Sequence, residues 1–478
     1  MTLVSNAKWN TLSQIVKVLC QLINIVYLAK IINPSEYGLM AMALVFINLG
    51  VLLRDVGTSA VIIQRKDLSN SLLNSVFWLN CFMGIGLGIL LCLLSPVIAD
   101  LYKQPKLLNI ILLLSSIFPL SSFAAAHLAL LERNSQFRTI SSIEITSSVC
   151  ALAVAVIMAR MGFGVYSLIA QAIVLNLISA IRFFYASKWL PSVKFFIKKE
   201  DIKSIFSFSA NLSLFNFINY FSRNADSFII GKFMTANILG NYNLAYRIML
   251  FPLQSLTFVA TRSLYPVLSK NQDDNEKIRK TYHNCIFVIT MITIPLMSGM
   301  AFYHESFILL IFGPQWELAS KILMWLAPTA IIQSILSASG AVFMAKGRTE
   351  ILMRLGFLGA VLQISSFVIG VNYSITVFAM LYFIANILNF FPVMFYLLKI
   401  SNSSFLVFFR GILPIFFANC IMLTFLEGIS FLSIFENINS LLILILLAFL
   451  GVMVYLTSLL VFSKLVRRTV LRTVLKQN

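Results

Sequence analysis

NSVFWLNCFMGIGLGILLCLLSPVI, residues 74–98, runs for twenty-five residues without one charged side chain. A helix needs ~20 apolar residues to cross the hydrocarbon core of a bilayer. Only helices and closed barrels can satisfy their backbone polar groups there. The stretch therefore reads as a transmembrane helix, and similar runs recur on both sides of it. They place spans at 11–32, 37–59, 74–98, 107–131, 143–161 and 164–186. After a basic, amphipathic stretch at 187–203, further spans follow at 204–228, 238–264, 282–303 and 318–345. The last four lie at 351–371, 374–398, 405–426 and 438–462. The expected fold is an all-α polytopic membrane protein with about fourteen transmembrane helices, the spans starting at 11 and 204 being the most polar.

Composition agrees. The 478 residues are 59% hydrophobic and 11% charged, against roughly 45–50% and about 25% in a soluble domain. No soluble domain remains once the spans are set aside. The net charge of +19 would suggest nucleic acid in a soluble protein, but here the basic residues sit mostly between apolar runs and serve orientation. With the N-terminus inside, the outer loops carry Lys30, Lys103, Lys106, Arg160, Lys232 and Lys321, and Lys17, Arg223 and Arg247 fall within spans. The large remainder lies on the cytoplasmic side, which supports an even number of spans with both termini cytoplasmic. Cys20, Cys81, Cys92, Cys150, Cys285 and Cys420 all fall in or at the edge of spans, with no C-x-x-C and no Cys/His metal spacing, and read as packing residues. The first span lacks the clean apolar core and cleavage site of a secretory signal, so it is expected to be retained.

An internal repeat comes next. At an offset of 202, Ala29-Lys30 falls on Gly231-Lys232, Gly38 on Gly240 and Ala43 on Ala245. Further along, Leu101-Tyr102 corresponds to Ile311-Phe312, each followed by a proline (Pro105, Pro314) and then a span with its own (Pro119, Pro328). Asn176 and Asn386 correspond at an offset of 210. The division expected is a six-helix lobe at 1–186, a cytoplasmic amphipathic linker at 187–203, a second six-helix lobe at 204–400, and two extra helices with a basic cytoplasmic tail at 401–478. Parallel six-helix halves with a site at their interface are a transporter pattern.

The first helix of each half carries a polar stripe. Gln14, Lys17, Gln21 and Asn24 recur at helical spacing, and the same offset gives Asn216, Asn219, Arg223 and Asp226. An ionised side chain at mid-bilayer costs ~2.5–3.5 kcal/mol on insertion scales, so it faces a partner or a watery cavity. A hydrophilic cavity lined by both stripes is the reading preferred over plain interhelical hydrogen bonding. On the eighth span Asn243, Arg247, Gln254, Thr257 and Thr261 share a face, although Arg247 can equally snorkel to the outer interface. Asp226 suits either a static pair with Arg223 or proton coupling. His127 suits a structural histidine or a proton carrier, and Glu144 reads as an interfacial residue. Arg54, Asp55, Arg133, Arg138, Arg262, Arg348 and Arg354 sit at cytoplasmic ends, where topology accounts for them. The tail's Lys464, Arg467, Arg468, Arg472 and Lys476 suit anionic headgroups. No G-x-x-x-x-G-K-[ST] occurs, and no carboxylate pair, triad or metal cluster is placed for chemistry.

Several segments in order resemble one family. They are Asn6–Lys17 leading to Leu28-Ala29-Lys30, Pro34-Ser35-Glu36-Tyr37-Gly38, and Asp55-Val56-Gly57 through Gln64. They continue in Asn224-Ala225-Asp226, Gly231-Lys232, Leu239-Gly240, Tyr242, Ile311–Trp316 and Ala345-Lys346-Gly347-Arg348. The chain resembles the Wzx-type polysaccharide flippases of the multidrug/oligosaccharidyl-lipid/polysaccharide exporter superfamily, nearest to those handling colanic-acid or lipopolysaccharide-type units. The resemblance implies two lobes around a central cavity in a bacterial cytoplasmic (inner) membrane, working by alternating access. It implies as substrate an oligosaccharide repeat on undecaprenyl diphosphate, with a polymerase and a chain-length regulator as possible partners and no nucleic acid.

A diphosphate pairs with Lys and Arg through charge-assisted hydrogen bonds, so Lys17, Gln21, Asn24, Asn219, Arg223, Arg247 and Gln254 are the substrate-binding candidates. Asp226 and His127 are the ion-coupling candidates. No cofactor is expected; a proton or sodium gradient, or removal of product, could drive the cycle. A multidrug or organic-cation exporter of the same superfamily is the first alternative. Its cavity should carry net negative charge, whereas the stripes hold Lys17 and Arg223 against Asp226. A polytopic polymerase or glycosyltransferase is the second, and it should show a long outer loop that this chain lacks.

Overall fold

Short polar turns punctuate the apolar runs and set where helices begin. Ser69 accepts from the Leu72 amide at 3.1 Å, Asp274 from Lys277 at 2.9 Å and Ser374 from Val377 at 3.3 Å. Each side chain caps a helix N-terminus whose first amides lack intrahelical partners. Gly162 and Gly164 both take positive φ, which lets one helix end and the next begin across a turn of a few residues.

The computed structural model describes residues 3–54, 61–63, 68–192, 220, 224–430, 440–463 and 466–467. All regular structure among them is helical. Helix α1 (Leu3–Ile23) continues through a π-helical turn, Asn24–Leu28, into a last turn, Ala29–Ile31. Then come α2 (Pro34–Arg54), α3 (Asn70–Leu101), α4 (Lys106–Arg133), α5 (Phe137–Arg160) and α6 (Val165–Ser187). A short α7 covers 224–233, followed by α8 (Ala236–Ser269), α9 (Asn275–Phe302) and α10 (His304–Phe312). The remainder is α11 (Pro314–Ala345), α12 (Thr349–Gly370), α13 (Ile375–Ile400), α14 (Phe405–Ser430) and α15 (Ser440–Phe462).

Twelve helices among the described residues are long and apolar enough to cross a membrane. They coincide with twelve of the expected spans. The expected seventh, 204–228, lies largely outside the described residues. The eighth is realised as α8, which is not among the twelve; twelve is the count among the described residues, and the expected fourteen is not confirmed.

The chain divides into two compact units, Met1–Gly240 and Asn241–Asn478. In the first, α1 packs on α5, α5 on α6, α6 on α4 and α4 on α3. Leu131, Ile140, Ile143, Ala180 and Phe183 fill the space between α4, α5 and α6. The chain leaving α6 is pinned to α3. Asn74 Nδ2 donates to the Ser192 carbonyl at 3.0 Å, Asn74 Oδ1 accepts from the Ser192 amide at 2.8 Å, and Trp78 Nε1 donates to that carbonyl at 2.9 Å. Within the same unit the starts of α2 and α8 touch backbone to backbone. A Cβ on Gly38 would lie 1.7 Å from the Ala236 carbonyl oxygen, and one on Gly240 would lie 1.8 Å from that of Pro34. Ser35 Oγ accepts from Asn237 Nδ2 at 3.4 Å beside them. At the offset of 202, Pro34, Ser35 and Gly38 correspond to Ala236, Asn237 and Gly240, so the contact is reciprocal under the repeat.

In the second unit α9 packs on α11 and α14, α13 on α11 and α12, and α14 on α15. Tyr282, Phe343, Met394, Leu397 and Phe408 are the centre of its core. Asn241, only 1% exposed, accepts from the Ala319 amide at 3.0 Å, one of the early α11 amides without an intrahelical acceptor. Asn241→Ala strands that donor and is expected to cost about 1–3 kcal/mol. A thermal unfolding scan in detergent should show a lower Tm than wild type, with Asn243→Ala unchanged as the control.

Candidate functional site

The polar stripe of α1 lies along α5 and α6 and is tied to them at successive levels. Near its start the Arg138 guanidinium sits over the Trp9 ring, 5.2 Å from its centroid. One turn on, Ser13 Oγ donates to Glu144 Oε2 at 2.7 Å, and from the turn after that Lys17 Nζ reaches the same oxygen at 2.8 Å. At the π-helical turn Asn24 Nδ2 donates to Gln171 Oε1 at 2.5 Å. Within the same turn the Tyr27 hydroxyl accepts from Arg160 Nε at 2.6 Å. Insertions of this kind loosen the helical ladder and recur at functional sites, and here the looser turn begins at a stripe residue.

The Lys17 and Glu144 side chains keep 37% and 34% of their surface exposed, and Gln14 and Gln21 are exposed. The face is thus an open polar one and not a sealed core network. Among the described residues it offers an ammonium held by one carboxylate, a buried hydroxyl and the exposed amides of Gln14 and Gln21. A partly solvated pair binds weakly enough to be exchanged, so Lys17 can pass from Glu144 to an incoming anionic oxygen. Hydroxyl-rich solutes suit the amides. Among the described residues no three of His, Cys, Asp and Glu gather as a metal site.

The other sequence candidates are distributed differently. Asn219 and Arg223 lie outside the described residues, and with them the expected Arg223–Asp226 pair. Asp226 is 4% exposed and accepts from the Ser227 amide at 2.6 Å. Arg247 is half-buried on α8; Gln254 lies on the same helix, its side chain outside the described residues. His127 is fully buried. Its Nδ1 pairs with Ser187 Oγ at 2.8 Å, and Phe77, Phe123, Phe184 and Trp189 enclose the ring at 5.2–5.6 Å. The structure brings Lys17 and Asn24 together with new partners on α5 and α6, and it keeps His127 in an aromatic cage apart from them.

Glu144, expected at a membrane interface, is instead the counter-charge of Lys17, 127 residues away. Gln171 was missed. The signal available was charge balance: a lone lysine in one span calls for a carboxylate in another. Several cationic residues assigned to topology also tie elements together, Arg54 to Ser121 Oγ and Arg133 to the Ile62 carbonyl at 2.6 Å.

The sequence pattern of a family described as polysaccharide biosynthesis protein matches residues 27–321. The chain is 29% identical over 371 residues to the lipopolysaccharide biosynthesis protein WzxC of Escherichia coli (strain K12), covering 77% of this chain and 75% of that protein. It is 28% identical over 351 residues to the teichuronic acid biosynthesis protein TuaB of Bacillus subtilis (strain 168), covering 73% and 72%. Among solved structures, the lipid II flippase MurJ in an inward closed conformation superposes with a TM-score of 0.71 over 96% of this chain and 98% of that one, at 16% identity. That likeness is one of fold.

Proposed function

This chain belongs to the polysaccharide biosynthesis protein family, and from that membership we propose that it is a flippase moving lipid-linked oligosaccharide units across a bacterial cytoplasmic membrane for surface polysaccharide synthesis. The substrate is an oligosaccharide on undecaprenyl diphosphate, and the cycle is alternating access. The observation that carries the reading is the open polar face of α1, with Lys17 held, among the described residues, by the partly exposed Glu144. Lys17 takes a phosphate oxygen as it leaves Glu144; Gln21 and Asn24 take sugar hydroxyls. Asn219, Arg223, Arg247 and Gln254 complete the set, and Asp226 is the coupling carboxylate. The lobes are 1–186 and 204–400, with both termini cytoplasmic.

Glu144 also bears on the rival reading. The stripes alone held two cations against one carboxylate; with Glu144 the count is even. Charge sign therefore no longer separates an anionic substrate from the organic cation of a multidrug exporter, and the family membership decides for the saccharide. A further relative, 26% identical over 68% of this chain, is a succinoglycan biosynthesis transport protein of Rhizobium meliloti (strain 1021), which favours transport over catalysis.

The test is complementation in a host with the gene deleted. Wild type, Lys17→Ala and Arg223→Ala are supplied at matched membrane levels, and surface polymer and cytoplasm-facing lipid-linked units are measured. The deletion should lose polymer and accumulate lipid-linked units inside, and both variants should restore less than about a tenth of wild-type polymer, the loss of one charge-assisted contact. Normal polymer in the deletion strain would sink the flippase reading.

A further inference from the structure

In the second unit a cavity of about 240 Å³ opens where α9, α14 and the end of α15 meet. Its wall carries Asn284 and Phe287 from α9, Arg410, Ile412 and Pro414 from α14, and Ser463. The volume far exceeds the ~30 Å³ share of one water molecule. Among the described residues no carboxylate lines it. Among the described residues, neither the Arg410 guanidinium nor the Asn284 amide has a hydrogen-bond or ion-pair partner. Two exposed donors thus line a space that no other described residue fills.

The surroundings narrow what can fill it. Arg410 stands in a row of outward apolar side chains, Leu406 at 57%, Phe409 at 50% and Leu413 at 44% exposure. Such a row belongs against lipid tails, not water, and an arginine this near the helix start reaches out to the interface, where anionic headgroups lie. The surrounding charge is positive. Arg279 lies one turn before the α9 wall and donates to the Asn402 carbonyl at 3.2 Å, and Arg467 follows Ser463 by one turn. A guanidinium forks onto two phosphate oxygens. Basic pockets between helix ends hold phospholipid headgroups by this chemistry. Phe287, Ile412 and Pro414 offer the other wall an apolar surface that a bare phosphate ion would not use.

We propose that this cavity binds the phosphate of an anionic membrane phospholipid, with Arg410 and Asn284 on the phosphate oxygens and the glycerol and first acyl carbons against Phe287, Ile412 and Pro414. The site is built from residues of the second unit alone and does not depend on the flippase reading.

The experiment is native mass spectrometry of the full-length protein in mild detergent, titrated with phosphatidylglycerol, phosphatidylcholine or inorganic phosphate. Phosphatidylglycerol should be retained on wild type about tenfold more than phosphatidylcholine, and Arg410→Gln should erase that tenfold preference. Arg410→Lys should keep part of it, because the charge remains while the fork is lost. Millimolar inorganic phosphate should leave the bound lipid in place. Asn284→Leu, on the opposite wall, gives the same readout should Arg410→Gln fail to fold. Equal retention of both lipids, or undiminished phosphatidylglycerol on both variants, overturns the proposal. Displacement by inorganic phosphate also overturns it, since the site would then take a bare anion.

Discussion

Glu144→Gln is expected to cut the amount of folded protein in the membrane sharply, and Lys17→Met added to it is expected to restore the amount without restoring export. The single change leaves Lys17 cationic with Ser13 as its remaining neighbour at the lost carboxylate. Breaking a fully buried ion pair costs ~3–5 kcal/mol, and replacing both partners costs little. Here the side chains are 37% and 34% exposed, so the cost falls toward the ~0–1 kcal/mol of an exposed pair, to about 1–2 kcal/mol. Quantitative immunoblotting of membranes reads the first effect, and surface polymer in the complementation strain reads the second. The double variant separates the two roles of Lys17. If it exports as well as wild type, the pair only holds α1 to α5, and the α1 face is not the substrate site.

Gly38→Ala and Gly240→Ala should be the most damaging of the single-methyl additions. Each new Cβ would sit under 2 Å from a backbone carbonyl oxygen, Ala236 for Gly38 and Pro34 for Gly240. No rotamer change relieves a clash with backbone, so the starts of α2 and α8 must part and the Asn237–Ser35 hydrogen bond goes with them. Overpacking costs ~1–3 kcal/mol even where side chains can adjust. Gly86→Ala and Gly356→Ala are the controls, since a Cβ there meets nothing within 4 Å. Alanine at those helical positions should be neutral or stabilise by about 0.5–1 kcal/mol. Thermal unfolding in detergent should rank the clashing pair well below wild type and the controls at or above it. A Gly38→Ala protein as stable as Gly86→Ala would show that the two helix starts do not pack this closely.

Membrane helices were legible because their cause is local. A run such as 74–98 partitions into lipid by its own composition, and a helix satisfies its own backbone, so each span is written in about twenty consecutive residues. The stripe Gln14, Lys17, Gln21, Asn24 was legible for the same reason, since one helix's periodicity fixes which residues share a face. The repeat carried the likeness of Gly38 to Gly240.

What required the tertiary structure was every pairing across helices. That Lys17 meets Glu144, that Asn24 meets Gln171, that His127 is walled in by four aromatic rings and that Gly38 lies against Ala236 all depend on how helices dock. Docking is set by side-chain shapes and small residues summed over many weak contacts, and no local period encodes it. The sequence by itself determined a helical membrane protein with a polar face on α1; only the tertiary structure decided which charge answers Lys17. The physical reason is that solvation acts on a segment one helix at a time, whereas an ion pair needs two segments brought within 3 Å.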